Sequence, residues 1–251
     1  MRWIAFFVLL CCHAQTTQPL HYLCRRAGSP IRIDGRLDDP AWANAPWTEA
    51  FVDIQGTKLP APRFRTRAKM LWDDDYLYVA ADIQEPDLRA TLTEHDSVIF
   101  HDNDFEVFLN PSGDGRNYFE FEINALNTSW DLFLAKPYRE GGKADNSWEI
   151  PGLQSAVNLD GTLNNPSDRD RGWTVEIAFP WSTFRSRAPV DRPRLGESWR
   201  VNFSRVEWEF DLVDGGYRNR PGVREANWVW SPQGEINMHI PSRWGYVEFG
   251  R

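Results

Sequence analysis

Glu106, Glu122 and Asn124 are the side chains in this chain best spaced for ligand chemistry. Glu122 and Asn124 are two positions apart, so in an extended strand they share a face. Glu106 falls in a second extended run, Asp102-Asn-Asp-Phe-Glu-Val-Phe-Leu-Asn110. Carboxylates accept strong charge-assisted hydrogen bonds, and an amide both donates and accepts. Such a trio suits a ligand rich in hydroxyl groups. The plainer reading is a solvated sheet face with Arg205 as counter-charge.

Other clusters carry weaker chemistry. Asp96, His101, Asp102, Asn103 and Asp104 offer hard oxygen atoms close together, as calcium prefers, but without the spacing of an EF-hand loop. Asp102, Asn103 and Asp104 are the calcium candidates, with turn capping as the competing role. Met238-His239 holds two residue types that serve as axial haem ligands. No Gly-x-Ser-x-Gly, His-Glu-x-x-His or paired-cysteine motif is present. Two carboxylates across a cleft could hydrolyse a glycoside. In a chain with 36 acidic residues such a pair means little.

The elements that must position these groups read as strands. Phe64, Ala68, Met70 and Trp72 share a phase, as do Phe119, Phe121 and Ile123, and Trp173, Val175, Ile177 and Phe179. Leu71-Trp-Asp-Asp-Asp-Tyr-Leu-Tyr-Val79 reads as strand, tight Asp turn and strand. Trp199, Val201 and Phe203 begin in one phase, but Val206 and Trp208 continue in the other. A bulge near Ser204-Arg205 would explain the slip. Alternatively, a ligand-facing surface starts there with Arg205 exposed on it. Asp39-Pro40 opens a short helix that seats Trp42, and Pro180-Trp181-Ser182 leads into another helical turn. The fold expected is an all-β antiparallel sandwich with short helical turns.

A net charge of −8 over 251 residues argues against a nucleic-acid surface. The 13 tryptophans and 15 phenylalanines are enough to build a large core and still leave stacking platforms for a flat ligand. Residues 1–14 have the pattern of an export signal: Arg2, the apolar run Trp3 to Cys12, and small residues before a cut after Ala14. Lipoprotein processing at Cys11 or Cys12 is the variant reading. Cleavage leaves Cys24 as the single cysteine, without a disulfide partner. Residues 15–30 read as a polar leader and residues 31–251 as one domain. The expected destination is secreted, periplasmic or cell-surface, with no stable membrane span.

In order, Ile33-Asp-Gly with Trp42, the Leu71–Val79 run, Asp104-Phe-Glu-Val-Phe108, Gly172-Trp-Thr-Val-Glu-Ile-Ala-Phe-Pro180, Trp228-Val-Trp-Ser231 and Trp244-Gly245 resemble the family 9 carbohydrate-binding modules. The resemblance covers Ile31 to Phe249. It implies a sandwich related to the DOMON group, immunoglobulin-like or jelly-roll-like in build. It also implies a terminal sugar held between two tryptophans and grasped by polar side chains, with structural calcium known in the family. By this likeness the family's glutamate falls at Glu106. Its Arg-x-Asn pair falls at Glu122 and Asn124, so the arginine is replaced. The first stacking tryptophan falls near Phe100 and the second near Met238-His239, with Trp228 and Trp230 as substitutes. An exported, non-catalytic carbohydrate-binding protein is therefore expected. A DOMON-like haem-binding electron-transfer protein and a glycoside-acting enzyme are the alternatives.

Overall fold

The computed structural model describes residues 18–185, 187–188 and 192–251. The expected export signal, its cut after Ala14, and Cys11 and Cys12 lie outside the described residues. Among the described residues no helix is long and apolar enough to cross a membrane.

The described residues form fifteen strands: β1 (His21–Arg26), β2 (Val52–Asp53), β3 (Thr66–Trp72), β4 (Tyr76–Gln84), β5 (Asp104–Asn110), β6 (Tyr118–Asn124), β7 (Ser129–Leu134), β8 (Ala144–Asp145), β9 (Gln154–Asp160), β10 (Gly172–Pro180), β11 (Ser198–Glu207), β12 (Phe210–Val213), β13 (Gly216–Asn219), β14 (Ala226–Val229) and β15 (Gly245–Phe249). One helical turn, α1 (Ser182–Arg185), follows β10, and short 3-10 helices fill some of the connections. The front sheet runs β8-β7-β6-β5-β11-β15-β1, and the back sheet runs β1-β3-β4-β10-β9. β14 pairs with β11 and β2, while β12 and β13 form a separate ribbon.

The alternation read in the sequence is the alternation of the core. Phe105, Val107 and Leu109 of β5, Phe119, Phe121 and Ile123 of β6, and Trp173, Val175, Ile177 and Phe179 of β10 meet between the sheets. Large aromatic rings pack edge-on there, as with Phe121 and Phe179 at 5.5 Å and 88°. The Asp turn forms as expected: Asp73 Oδ1 accepts the amides of Asp75 and Tyr76, closing the β3–β4 hairpin. Pro40–Asn44 is a short 3-10 helix that buries Trp42.

The N-terminal motif owes its shape to one carboxylate. Glu176 of β10 accepts the Trp42 indole N–H at 2.6 Å and the amides of Asp34 and Gly35. Gly35 has φ of +81°, and a Cβ there would meet Asn158 N and the Val157 carbonyl carbon of β9 at 2.6 Å. Only glycine fits that approach.

Two expectations are corrected here. The region assigned to a loose polar leader contains β1, which joins the sheets. His21–Cys24 pairs parallel with β15, and Arg25–Arg26 pairs parallel with β3. Tyr22 and Cys24 point into the core, too few apolar positions to stand out in a polar stretch. The second correction concerns β11. It runs one-to-one against β14 from Ser204 to Glu207, with no extra residue at Ser204-Arg205. Arg205 keeps the inward phase and is 1% exposed, held by Glu85, Glu207, Thr66 and the Gln84 carbonyl. The apparent phase slip was an inward-facing charge read as an outward one.

Candidate functional site

The outer face of the front sheet is covered as well as its inner face. Phe108, Tyr118, Leu132, Leu134 and Val229 form a second apolar cluster there with Met238 and Trp244. The Trp244 indole donates to the Met238 carbonyl at 2.7 Å, fastening the covering segment down. Beside this cluster lies a cavity of about 250 Å³. Its floor includes Glu106 of β5, Glu120 and Glu122 of β6, and Val206 of β11. Phe100, Trp130, Tyr138 and His239 also line it, as do Glu225, Asn227 and Asn237.

The cross-strand register builds the floor. Glu106 stands opposite Glu122 on one side and Ser204 on the other. Glu122 Oε2 also accepts the Phe100 amide at 3.0 Å. Single oxygens of Asp104, Glu106 and Glu122 all lie within 4.8 Å of one another. Such crowding away from water disfavours the charged forms. Burial pushes Glu106 up to about 7, opposed by the Ser204 hydroxyl and reinforced by Glu225. Burial raises Asp104, Glu120 and Glu122 well above the carboxylate range, and Glu106 adds to each. The floor therefore holds protons near neutrality and offers both donors and acceptors. Glu120 Oε2 has no hydrogen-bond partner within the protein.

The aromatic side is set in pairs. Phe100 lies 6.4 Å from Trp130, tilted by 30°. His239 sits among Phe108, Tyr118 and Tyr138, with its ring 4.5 Å from that of Tyr138. Its Nδ1 is 3.0 Å from the Tyr118 hydroxyl. Burial lowers its pKa to about 4, so the imidazole is neutral. Burial and then Glu120 and Glu122 push the Tyr138 phenol up to about 12, so it remains a donor.

Of the residues singled out in the sequence, Phe100, Glu106, Glu122 and His239 come together here. Asn124 does not. Its amide nitrogen serves the Leu92 carbonyl and Asp102, and its oxygen accepts the amides of Leu126 and Thr128. It builds the β6–β7 turn. Arg205 is a core ion pair and not a counter-charge to Glu106. Trp228 and Trp230 face the core on the far side of the sheet, and Asn227 faces the cavity between their phases.

The calcium candidates also separate. Asp102 accepts the amides of Thr91 and Leu92 and the Thr91 hydroxyl, so it caps a turn. Asn103 joins Arg89 to Glu85, Glu207 and the Trp208 amide. Asp104 Oδ1 accepts the Val206 amide, His101 is exposed, and Asp96 lies near His95. These five do not converge on one point. Met238 is packed in the outer cluster beside Trp244. Neighbours in the chain cannot stand on opposite faces of a planar macrocycle, so Met238-His239 is not an axial pair.

Sequence reasoning missed Glu120, Trp130 and Tyr138 as lining residues. Glu120 shares the Glu122 phase, and Trp130 shares a phase with Leu132 and Leu134, so both were findable. Tyr138 lies in a connection between β7 and β8 and carried no periodic signal.

Residues 33–249 match the family described as carbohydrate family 9 binding domain-like. The chain belongs to that family. Among curated relatives, a family 9 stretch of this chain is 30% identical over 161 residues to an exoglucanase, XynX, of Acetivibrio thermocellus. It is 29% identical over 178 residues to an endo-1,4-beta-xylanase A of Thermoanaerobacterium saccharolyticum. The matches cover 62% and 70% of this chain but only 12% of either relative. Two solved family 9 modules from Caldicellulosiruptor kristjanssonii, in complex with cellotriose and with glucose, share the fold at TM-scores of 0.58 and 0.60. Both are 20% identical to this chain. Each alignment covers 92% of it, and 94% and 96% of the respective module.

Proposed function

We propose that this family 9 domain binds the terminal unit of a carbohydrate in the cavity beside Phe100 and His239, as an exported, non-catalytic module. The observation that supports this most is convergence: Phe100, Glu106, Glu122 and His239, far apart in sequence, line one cavity. At about 250 Å³ it is smaller than the roughly 300–1,000 Å³ of drug-sized sites, which suits one ring better than a chain. Phe100 offers a stacking face backed by Trp130, and the carboxyl floor meets hydroxyl groups as donor and acceptor. Phenylalanine and histidine in place of two tryptophans make the walls smaller, so affinity is modest. Stacking contributes about 0.5–1.5 kcal/mol per ring.

The non-catalytic reading is supported by the placement of the acids. Glu106, Glu120 and Glu122 sit side by side on adjacent strands of one floor. Glycoside hydrolysis needs carboxyl groups flanking the scissile bond. Calorimetric titration with mono- and oligosaccharides tests the proposal. Binding should be lost in Phe100→Ala and Glu106→Ala proteins that still unfold cooperatively. A wild-type protein that binds no saccharide, or variants that bind unchanged, would reject it.

A further inference from the structure

On the other side of β7 from Trp130 lies a second constellation. His95 Nδ1 is 2.9 Å from the Ser129 carbonyl. A carbonyl only accepts, so Nδ1 carries a proton and the ring is oriented with Nε2 outward. Three carboxylate oxygens surround Nε2: Glu149 Oε2 at 3.1 Å, Asp96 Oδ1 at 3.4 Å and Asp131 Oδ1 at 3.5 Å. One N–H at Nε2 cannot satisfy three acceptors. Asp131 is 2% exposed, and its Oδ2 has no hydrogen-bond partner. Asp96 Oδ1 likewise has none. A buried carboxylate such as Asp131, with one oxygen unpaired and further carboxylates beside it, is costly unless a cation joins it.

The spacing has a specific meaning. Ligands about 2.0–2.1 Å from a tetrahedral ion lie about 3.3–3.4 Å from one another. The Glu149 and Asp131 distances from His95 Nε2 bracket that value, and one atom each of His95, Asp131 and Glu149 lies within 4.8 Å of the other two. The backbone hydrogen bond at Nδ1 is the arrangement that fixes a metal-binding imidazole with its other nitrogen free. A mixed imidazole and carboxylate set suits zinc-type ions better than calcium, which takes oxygen ligands.

We propose that His95, Asp131 and Glu149 hold one divalent transition-metal ion of the zinc type. The ion ties three separate segments: the loop before the Ile99–His101 turn, strand β7, and the Trp148–Ile150 stretch. That loop continues into Phe100, so the ion steadies one side of the cavity from behind. Its role is a structural clamp, independent of which ligand the cavity takes.

Untagged protein stripped with a chelator tests this by Zn2+ titration, read by calorimetry and thermal unfolding. One equivalent should bind, and the Tm should rise by about 5–10 °C at a hundredfold excess over Kd. His95→Gln and Asp131→Asn should each abolish the rise. Asp131→Asn removes a buried charge, so its metal-free Tm should match or exceed that of the wild type. Co2+ should give a tetrahedral visible absorption that His95→Gln lacks. A wild-type protein without a saturable Zn2+ response would overturn the proposal. So would an equal response in both variants, or a Ca2+ response that survives His95→Gln.

Discussion

The amide of Phe100 donates to Glu122 Oε2 at 3.0 Å, so one residue of the cavity floor holds an aromatic residue beside it. Glu122→Gln keeps an acceptor for that amide and removes a buried carboxyl. Glu122→Ala removes both. The glutamine protein should unfold at or above the wild-type temperature. The alanine protein should lose about 1–3 kcal/mol and loosen Phe100. Thermal unfolding of the two variants separates the outcomes.

The Glu106 carboxyl is raised from 4.5 to about 7 on folding. A group raised in this way stabilises the fold fully below its unfolded value and loses that contribution as pH rises through its folded value. Glu120, Glu122 and Asp104 shift in the same direction for the same reason, and Glu225 reinforces Glu106. The Tm should therefore fall as pH rises from about 5 to about 8. Glu106→Gln should flatten the slope. A wild-type Tm that climbs across this window would contradict the buried floor.

Asn124 spends both ends of its amide on the β6–β7 turn and its neighbours. Asn124→Ala should cost about 2–4 kcal/mol in chemical denaturation, since buried partners lose their bonds together. Saccharide affinity of the folded fraction should change little. A variant that keeps its stability and loses binding would place Asn124 in the ligand site after all.

Arg205 joins two buried carboxylates, at 2.6 Å to Glu85 and 2.7 Å to Glu207. Burial lifts Glu207 to about 8, with Arg205 pulling down and Glu85 pushing up. Arg205→Met would leave both acids without their cation. The loss should be about 3–5 kcal/mol in urea unfolding. Adding Glu85→Gln and Glu207→Gln to it should recover much of that, which a simple packing defect would not allow.

Four glutamates and neither lysine nor arginine line the cavity. A sugar carrying a carboxylate should bind roughly tenfold or more weakly than its neutral parent, because the lining offers its charge no cation. A primary amine at the same position should strengthen binding as pH rises through about 7, where Glu106 ionises. Competition between glucuronate, glucose and glucosamine measures the order.

The sequence by itself determined the family and the phases of β3, β6 and β10, though it missed β1 and misread β11. Phe119, Phe121 and Ile123 could only face one way, and Glu120 and Glu122 only the other, because side chains alternate along a strand. Glu106 and Glu122 were readable as ligand candidates for that reason. What alternation cannot say is which face is core when both faces are covered. Trp228 and Trp230 looked available, yet they face inward, because the covering segment that ends at Trp244 buries the opposite face instead. Arg205 looked like a surface charge, yet Glu207, two residues on in β11, and Glu85, just past the end of β4, neutralise it inside the core. Asn124 looked like a ligand, but the β6–β7 turn takes the bonds of its oxygen, and Leu92 and Asp102 take those of its nitrogen. The meeting of His239 with Phe100, and of His95 with Asp131 and Glu149, depends on contacts between distant segments. No local spacing encodes those contacts, because they are set by how the sheets and their covering loops close together.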